Sequence, residues 1–412
     1  MKDAAHGVNL HTPEALAEMG QQRLADYLRA LPADRQTLLL NQLQTLDLSV
    51  LRAASEPAEQ RGRIEPVFAT TLDEIAQNRE RYTQRGLEAI RAGKVGAVML
   101  AGGQGSRLGF DKPKGMFNIG VTGTLYIFEC QIRNLKAVTE QAGAWVPLFI
   151  MTSEDNCEET QRFFAEHDYF GYSRDHIRFF RQEQLPVVDP DGQLLLNEDG
   201  MILTAPNGNG GWYASMERNE ILNDIRSAGI EWLNVFAVDN VLQRIADPCF
   251  IGAVLDSGKE SGAKVVAKAA PDEKVGVLCL EDGRPSIVEY FEMTDEMRSS
   301  REPDGSLSYN YGVILNYLFN TACLDQTLGV ALPLHRACKK IRHMQPDGTV
   351  VVPEAPNAYK FETLALDLVR LQGSCLAYEV ERSKEFAPVK NKTGVDSADT
   401  ARELLRKNGY TL

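Results

Sequence analysis

Long apolar runs are missing from this 412-residue sequence: none reaches eighteen consecutive apolar residues, which excludes an ordinary membrane-spanning helix. The opening stretch, MKDAAHGVNLHTPEALAEM, also lacks the basic segment and apolar core of a secretory signal. Cysteine is sparse. The seven cysteines (Cys130, Cys157, Cys249, Cys279, Cys323, Cys338 and Cys375) are scattered without a Cys-x-x-Cys pair. That spacing excludes a disulfide framework and a structural zinc site, and it fits a reducing compartment. Positive charge is in deficit, with 44 Lys and Arg against 57 Asp and Glu and a net charge of −13. An extended nucleic-acid surface needs a basic face, so nucleic acid is excluded as a partner. A small anion held in a locally positive pocket is not. Internal repeats and low-complexity tracts are lacking as well. The expectation is a cytoplasmic globular protein without membrane or nucleic-acid partners, its oligomeric state not legible in the sequence.

What is present divides the chain into three. Residues 1–90 read as a helical N-terminal region: PEALAEMGQQRLADYLRAL and ADRQTLLLNQLQTL place leucines three and four apart, and Pro32 separates them. AASEPAEQRGRIEP (residues 53–66) reads as a linker, and LDEIAQNRERYTQRGLEAIRAG as a helix stopping at Gly93. Residues 91–395 alternate short apolar runs with amphipathic stretches: VGAVML, WVPLFIMT, IRFFRQ, WLNVFAVD, AKVVAKAA, VGVLCL and YGVILNYLF. Such alternation predicts an α/β fold with a mixed, mostly parallel sheet and helices on both faces. Turn signals DPDG (189–192) and NEDG (197–200) around QLLL predict a hairpin inserted into the sheet core. Residues 396–412 predict a short terminal helix capped at Ser397 or Asp399.

One segment gathers cations and bare backbone: VMLAGGQGSRLGFDKPKGMFNIG, residues 98–120. It sets Arg107, Lys112 and Lys114 against Asp111, directly after an apolar strand. Glycines there let successive N–H groups converge on phosphate oxygens. Neither common phosphate fingerprint fits. From Gly103 the spacing is GxGxxxG, with Leu108 where a dinucleotide loop needs its third glycine. No Gly-Lys-Ser or Gly-Lys-Thr completes a Walker A loop. A third explanation is a nucleotidyltransferase loop, whose arginine and lysine complete the backbone cradle; a glycine-rich strand-to-helix turn with solvated charges is the alternative to all three.

The segment resembles the signature loop of the eukaryotic-type UDP-N-acetylhexosamine pyrophosphorylases, within the wider UDP-sugar pyrophosphorylase family. Gln104 and PKGM point to the hexosamine branch, since UDP-glucose enzymes typically carry GGLGT and PKS. The resemblance runs from about residue 20 to 410 and includes FIMTSEDN, FFRQEQLPVV, APNGNGGWYASM, WLNVFAVDNVL, SIVEYFEM, YGVILNYLF, AYKFETLALD and RSKEFAPVKNKTG. It implies a Rossmann-like, GT-A-like nucleotidyltransferase fold and uridylyl transfer from UTP to N-acetylglucosamine 1-phosphate, with Mg²⁺ as cofactor.

By the same resemblance Arg107, Lys114 and Lys390 are the catalytic cations. Leu100, Ala101, Gly102, Gly103, Gln182, Gly208, Asp239 and Lys360 bind the nucleotide, with Gln182 reading uracil and Asp239 also the metal ligand. Asn209, Glu289, Tyr290 and Asn316 contact the sugar. Leu364 and Leu366 depart from the family's aromatic residues there, which keeps a glucose- or galactose-1-phosphate enzyme as the alternative. A non-catalytic sugar-nucleotide sensor is a second alternative, because a fold alone does not fix activity. The family continues into a C-terminal β-rich domain, which is expected to be absent here.

Overall fold

The computed structural model describes residues 12–53 and 61–412, which fall into two compact units. The larger unit comprises residues 61–182, 212–331 and 365–412. Its sheet contains β1 (Ile64–Pro66), β2 (Val95–Leu100), β3 (Leu148–Thr152), β4 (Ile177–Arg181) and β5 (Trp232–Ala237). It continues with β6 (Ser261–Ala267), β7 (Val277–Glu281), β8 (Arg284–Val288), β9 (Tyr311–Asn320) and β10 (Cys375–Glu379). The main path runs β1-β7-β9-β5-β2-β3-β4, with β8 on β7, and β6 between β9 and β10. Strands β5, β2, β3 and β4 pair in parallel, and so do β6 and β10. The long β9 runs antiparallel to β5, β6 and β7.

The apolar runs explain the parallel half. Every residue of β2 and β3 is buried, as expected of strands covered by helices on both faces. The helix Leu72–Arg91 starts at a capping box in which Thr71 and Glu74 exchange hydrogen bonds. The helix Ile127–Ala142 contributes Ile127, Phe128, Ile132 and Leu135 to the same core. Because β2 has β3 on one side and β5 on the other, its C-terminal end is a topological switch point. In open α/β sheets ligands bind outside the strand ends at such a point.

The smaller unit comprises the described part of residues 1–60 with residues 183–211 and 332–364. Leu16, Leu24, Leu28, Leu39 and Leu43 pack there against Leu185, Val188, Leu194, Leu196, Ile202 and Phe361. Two short antiparallel pairs complete it: Gln184–Pro186 with Thr204–Pro206, and His335–Lys339 with Ala358–Glu362.

The boundaries differ from those expected. The N-terminal helices join later segments of chain, whereas Leu72–Arg91 belongs to the sheet-bearing unit. The reason is packing: leucines before residue 53 find their apolar partners around residues 185–202. Of the expected linker, residues 54–60 lie outside the described residues, and Ile64–Pro66 is strand β1. The two predicted turns form, closed by Gly192 N–H to Asp189 O (3.0 Å) and Gly200 N–H to Asn197 O (3.0 Å). They sit in the smaller unit, not in the sheet core. The last helix, Ala398–Lys407, is capped by Ser397 and buries Ala401 and Leu405 in the main core. Arg402 Nε also donates to Ile119 O at 3.0 Å, so this helix is an integral part of the larger unit.

Candidate active site

The glycine-rich loop leaves β2 with its first residues committed to the sheet. Ala101 N–H donates to Met151 O (2.9 Å), and Leu100 O accepts from Val238 N–H (3.2 Å). Asn156 Nδ2 reaches Ala101 O (3.4 Å) and Gly102 O (3.2 Å), while its Oδ1 accepts from Ser153 N–H (2.8 Å). Among the described residues no protein acceptor takes the N–H of Gly102 or Gly103. Leu100 and Ala101 are therefore the platform, and the uncommitted donors begin at Gly102. The loop closes on itself through Gly105 N–H to Lys112 O (2.9 Å) and Lys114 N–H to Gly103 O (3.1 Å).

Gln182 follows β4 and lies against this loop, only 7% exposed. A Cβ on Gly102 would stand 1.9 Å from Gln182 Oε1. Only glycine lets the carboxamide come so near the free amides.

Charge is assembled at the end of β5. Asp239, two residues beyond that strand, faces Lys114: Oδ2 to Nζ is 3.6 Å, and both side chains are under one-fifth exposed. The segment carrying Lys390 is tied to the same point. Val389 N–H donates to Asp239 O (2.9 Å). Asn240 Nδ2 donates to Glu385 O (2.8 Å), and Asn240 Oδ1 accepts from Ala387 N–H (2.9 Å). Lys390 Nζ lies 3.5 Å from Asp396 Oδ2 and is 42% exposed. Arg107 is exposed on the loop with no carboxylate paired to it among the described residues, whereas Lys112 is spent on Glu159 at 3.6 Å. The structure thus brings Gly102, Gly103, Lys114, Asp239 and Lys390 into one neighbourhood, with Gln182 beside the loop.

Beneath this neighbourhood lies a buried ion cluster that the sequence did not flag. Lys264 on β6, fully buried, meets Glu385 Oε2 at 2.5 Å and Asp247 Oδ2 at 3.3 Å. Burial drives Asp247 toward its neutral form, but Lys264 and Arg244 overcome this and leave its carboxyl below the usual range. In the sequence Lys264 is only one polar letter in an apolar strand.

The expected sugar contacts divide. Glu289 follows β8 and is half-buried, its amide N–H donating to Glu292 Oε2 (2.9 Å). Burial, and after it the charge of Glu289, pushes the Tyr317 phenol up. Tyr290 is 38% exposed, its ring edge-on to Phe291. Asn316 does not meet its expectation. It is fully buried, and its Oδ1 accepts from Asn234 Nδ2 (2.8 Å). Its Nδ2 reaches Gln243 Oε1 and Arg244 O, both at 3.3 Å. The cause is a register shift in β9 between Val313 and Tyr317, where Leu315 takes φ 51° and turns Asn316 inward. Every polar atom of its side chain is used inside the protein. Asn316→Ala is therefore expected to cost about 1–3 kcal/mol of stability from orphaned buried partners, read as a lower Tm. Sugar-phosphate affinity should stay within about twofold of wild type by calorimetry, since about 0.4 kcal/mol corresponds to that factor.

In the smaller unit, Gly208 and Asn209 form a loop beside the strand that carries Lys360. Gly208 has φ +83°, and a Cβ there would lie 2.3 Å from Thr363 O. Its glycine is required by the chain's own backbone, so the loop's close packing accounts for it without a ligand. Gly210 N–H donates to Thr363 O (2.9 Å), and Thr363 N–H to Asn207 O (2.7 Å). Lys360 is half-buried on Ala358–Glu362, opposite Ala337.

Burial pushes the thiols of Cys130 and Cys279 up to about 12, so neither is a thiolate at neutral pH.

The chain as a whole is similar to known proteins. A family model for UTP–glucose-1-phosphate uridylyltransferase matches residues 53–397. The human UDP-N-acetylhexosamine pyrophosphorylase-like protein 1 is 36% identical, across 96% of this chain and 83% of its own. The UDP-N-acetylglucosamine pyrophosphorylase of Saccharomyces cerevisiae is 31% identical, across 99% of this chain and 88% of its own. The chain is also similar to the crystal structure of the Trypanosoma brucei uridine diphosphate N-acetylglucosamine pyrophosphorylase in complex with inhibitor. That likeness has a TM-score of 0.81 at 28% identity, over 95% of this chain and 83% of the other.

Proposed function

Because this chain belongs to the UTP–glucose-1-phosphate uridylyltransferase family, we propose that it makes UDP-N-acetylglucosamine and pyrophosphate from UTP and N-acetylglucosamine 1-phosphate. The observation that carries this reading is the meeting of uncommitted glycine amides with Lys114, Asp239 and Lys390 at the switch point of the sheet. An ionised oxygen of the sugar phosphate attacks the α-phosphorus of UTP in line. The bond from that phosphorus to the oxygen bridging the β-phosphate breaks, and pyrophosphate leaves with the electron pair. The attacking phosphate is already ionised at neutral pH, so no general base is needed.

Catalysis is then positioning and charge neutralisation. The N–H groups of Gly102 and Gly103, with Arg107 and Lys114, hold the triphosphate and the departing pyrophosphate. Lys390 draws in the sugar phosphate, and Gln182 is assigned to the uracil. Lys360 and Gly208 are assigned to the nucleotide, and Asn209, Glu289 and Tyr290 to the sugar.

Magnesium is the proposed cofactor. Among the described residues no group of three or more His, Cys, Asp or Glu is placed to cage a metal. The single carboxylate of Asp239 fits magnesium in its usual nucleotide mode, held by one or two carboxylates together with substrate phosphates and water. Bound there, the ion would offset phosphate charge. No helix among the described residues is long and apolar enough to cross a membrane, and seven unpaired thiols favour the cytoplasm as its location.

A substrate panel tests the reading: UTP with each of four sugar 1-phosphates, N-acetylglucosamine, N-acetylgalactosamine, glucose and galactose, with and without EDTA, timing pyrophosphate release. The expected result is turnover with an N-acetylhexosamine 1-phosphate that stops in EDTA. Preference for glucose or galactose 1-phosphate would move the assignment to the other branch. Absence of pyrophosphate with all four would leave a sensor.

A further inference from the structure

The loop that carries Asp239 has no regular structure of its own, yet its backbone is held by buried carboxamides. Gln131 lies in the middle of the helix Ile127–Ala142 and is fully buried. Its Nε2 donates to Val238 O (2.7 Å) and to Asn240 O (2.9 Å), the carbonyls of the residues before and after Asp239. Gln243, also fully buried, approaches Gln131 Oε1 at 3.4 Å and donates to Ala237 O at 2.6 Å. Asn240 carries the constraint onward to Glu385 O and Ala387 N–H, in the segment leading to Lys390.

An interior helix position facing this core calls for an apolar side chain. A glutamine there costs desolvation unless both amide protons and the oxygen find partners. Both protons are spent on the carbonyls of the two residues on either side of Asp239. Asp239 reaches Lys114 at 3.6 Å, a contact that tolerates little rotation of its peptide.

From this geometry we infer that Gln131 is a positioning residue for Asp239, fixing the direction in which its carboxylate faces Lys114 and the phosphates. The inference rests on the functional reading above and adds a residue to it. Gln131 touches no substrate; it acts through the two carbonyls. Outer-shell groups that orient a metal-binding carboxylate typically change metal affinity or activity by about 10–100-fold when removed.

The test uses the full chain with Gln131→Met, which keeps length and removes both donors. Calorimetry measures UTP binding in EDTA and in magnesium, and the ratio of the two affinities reports what Asp239 contributes. The ratio is expected to fall about 10–100-fold, with UTP affinity in EDTA within about twofold of wild type. Ile132→Ala, one residue along and also fully buried, is the stability control: its Tm falls but its ratio does not. If Gln131→Met does not fold, Gln131→Glu, of equal size with one donor at most, is read by the same ratio and should fall likewise. A wild-type ratio in a folded Gln131 variant overturns the inference while leaving the functional reading intact. Failure of the wild-type chain to bind UTP with magnesium overturns both.

Discussion

Lys114→Ala is expected to lower kcat by about 10²–10³-fold, the range seen when one donor to a developing negative charge is removed. Lys114 ends the glycine-rich loop, with its own N–H anchored on Gly103 O and its Nζ 3.6 Å from Asp239. One cation about 4 Å from a phosphate oxygen interacts by roughly 4 kcal/mol at an effective dielectric near 20. Part of that is present with bound substrate and part appears only as charge builds on the departing pyrophosphate. The second part sets kcat. UTP affinity should therefore fall less than turnover, and a steady-state analysis separates the two. Wild-type kcat in a correctly folded variant would remove Lys114 from the chemistry. Lys112→Ala is the internal comparison, since its ammonium already faces Glu159 and is 58% exposed. It should change kcat by less than about threefold, as expected of a surface pair worth under about 1 kcal/mol.

Asp239→Asn should produce the second large loss, about 10²-fold or more in kcat at fixed magnesium, in the range for lost electrostatic stabilisation of developing charge. The substitution preserves shape and the backbone contact from Val389 N–H to Asp239 O, so stability should change little. It removes the charge that balances Lys114 and the oxygen proposed for the metal. Raising magnesium should restore part of the rate if Asp239 recruits the ion. A rate independent of magnesium from micromolar to millimolar concentrations would make Asp239 solely the partner of Lys114. Activity titrations of wild type and variant, side by side, distinguish these outcomes.

Much of this was legible in the letters of the chain. The strand-then-glycine pattern located the loop at residues 100–109, and the apolar run ending in Asp239 located the opposite wall. Lys390 was proposed by resemblance alone, as an isolated lysine between valine and asparagine has no intrinsic signal. The boundaries of the two units were not legible, because they depend on which leucines meet which partners far along the chain. Asn316 misled for a related reason. An asparagine in an apolar strand reads equally well as a ligand contact or a core amide, and the choice is made by a backbone irregularity at Leu315. Gln131 and Lys264 were silent because helical and strand periodicity predict burial but not which polar group a buried side chain will serve.

The tie between Asp239 and the stretch from Glu385 to Lys390 has a consequence for biogenesis. Asp239 is synthesised well before the stretch from Glu385 to Lys390, and the side chain of Asn240 has its partner at Glu385 O, and Lys264 its partner at Glu385 Oε2, only once that stretch exists. A ribosome-bound chain that has not yet exposed it leaves Lys264 without its closest counter-charge, a costly arrangement for a buried ammonium. Nascent sheets of this protein should therefore stay loosely packed around β5 and β6 until the late segment emerges, and activity should appear abruptly rather than by degrees during translation.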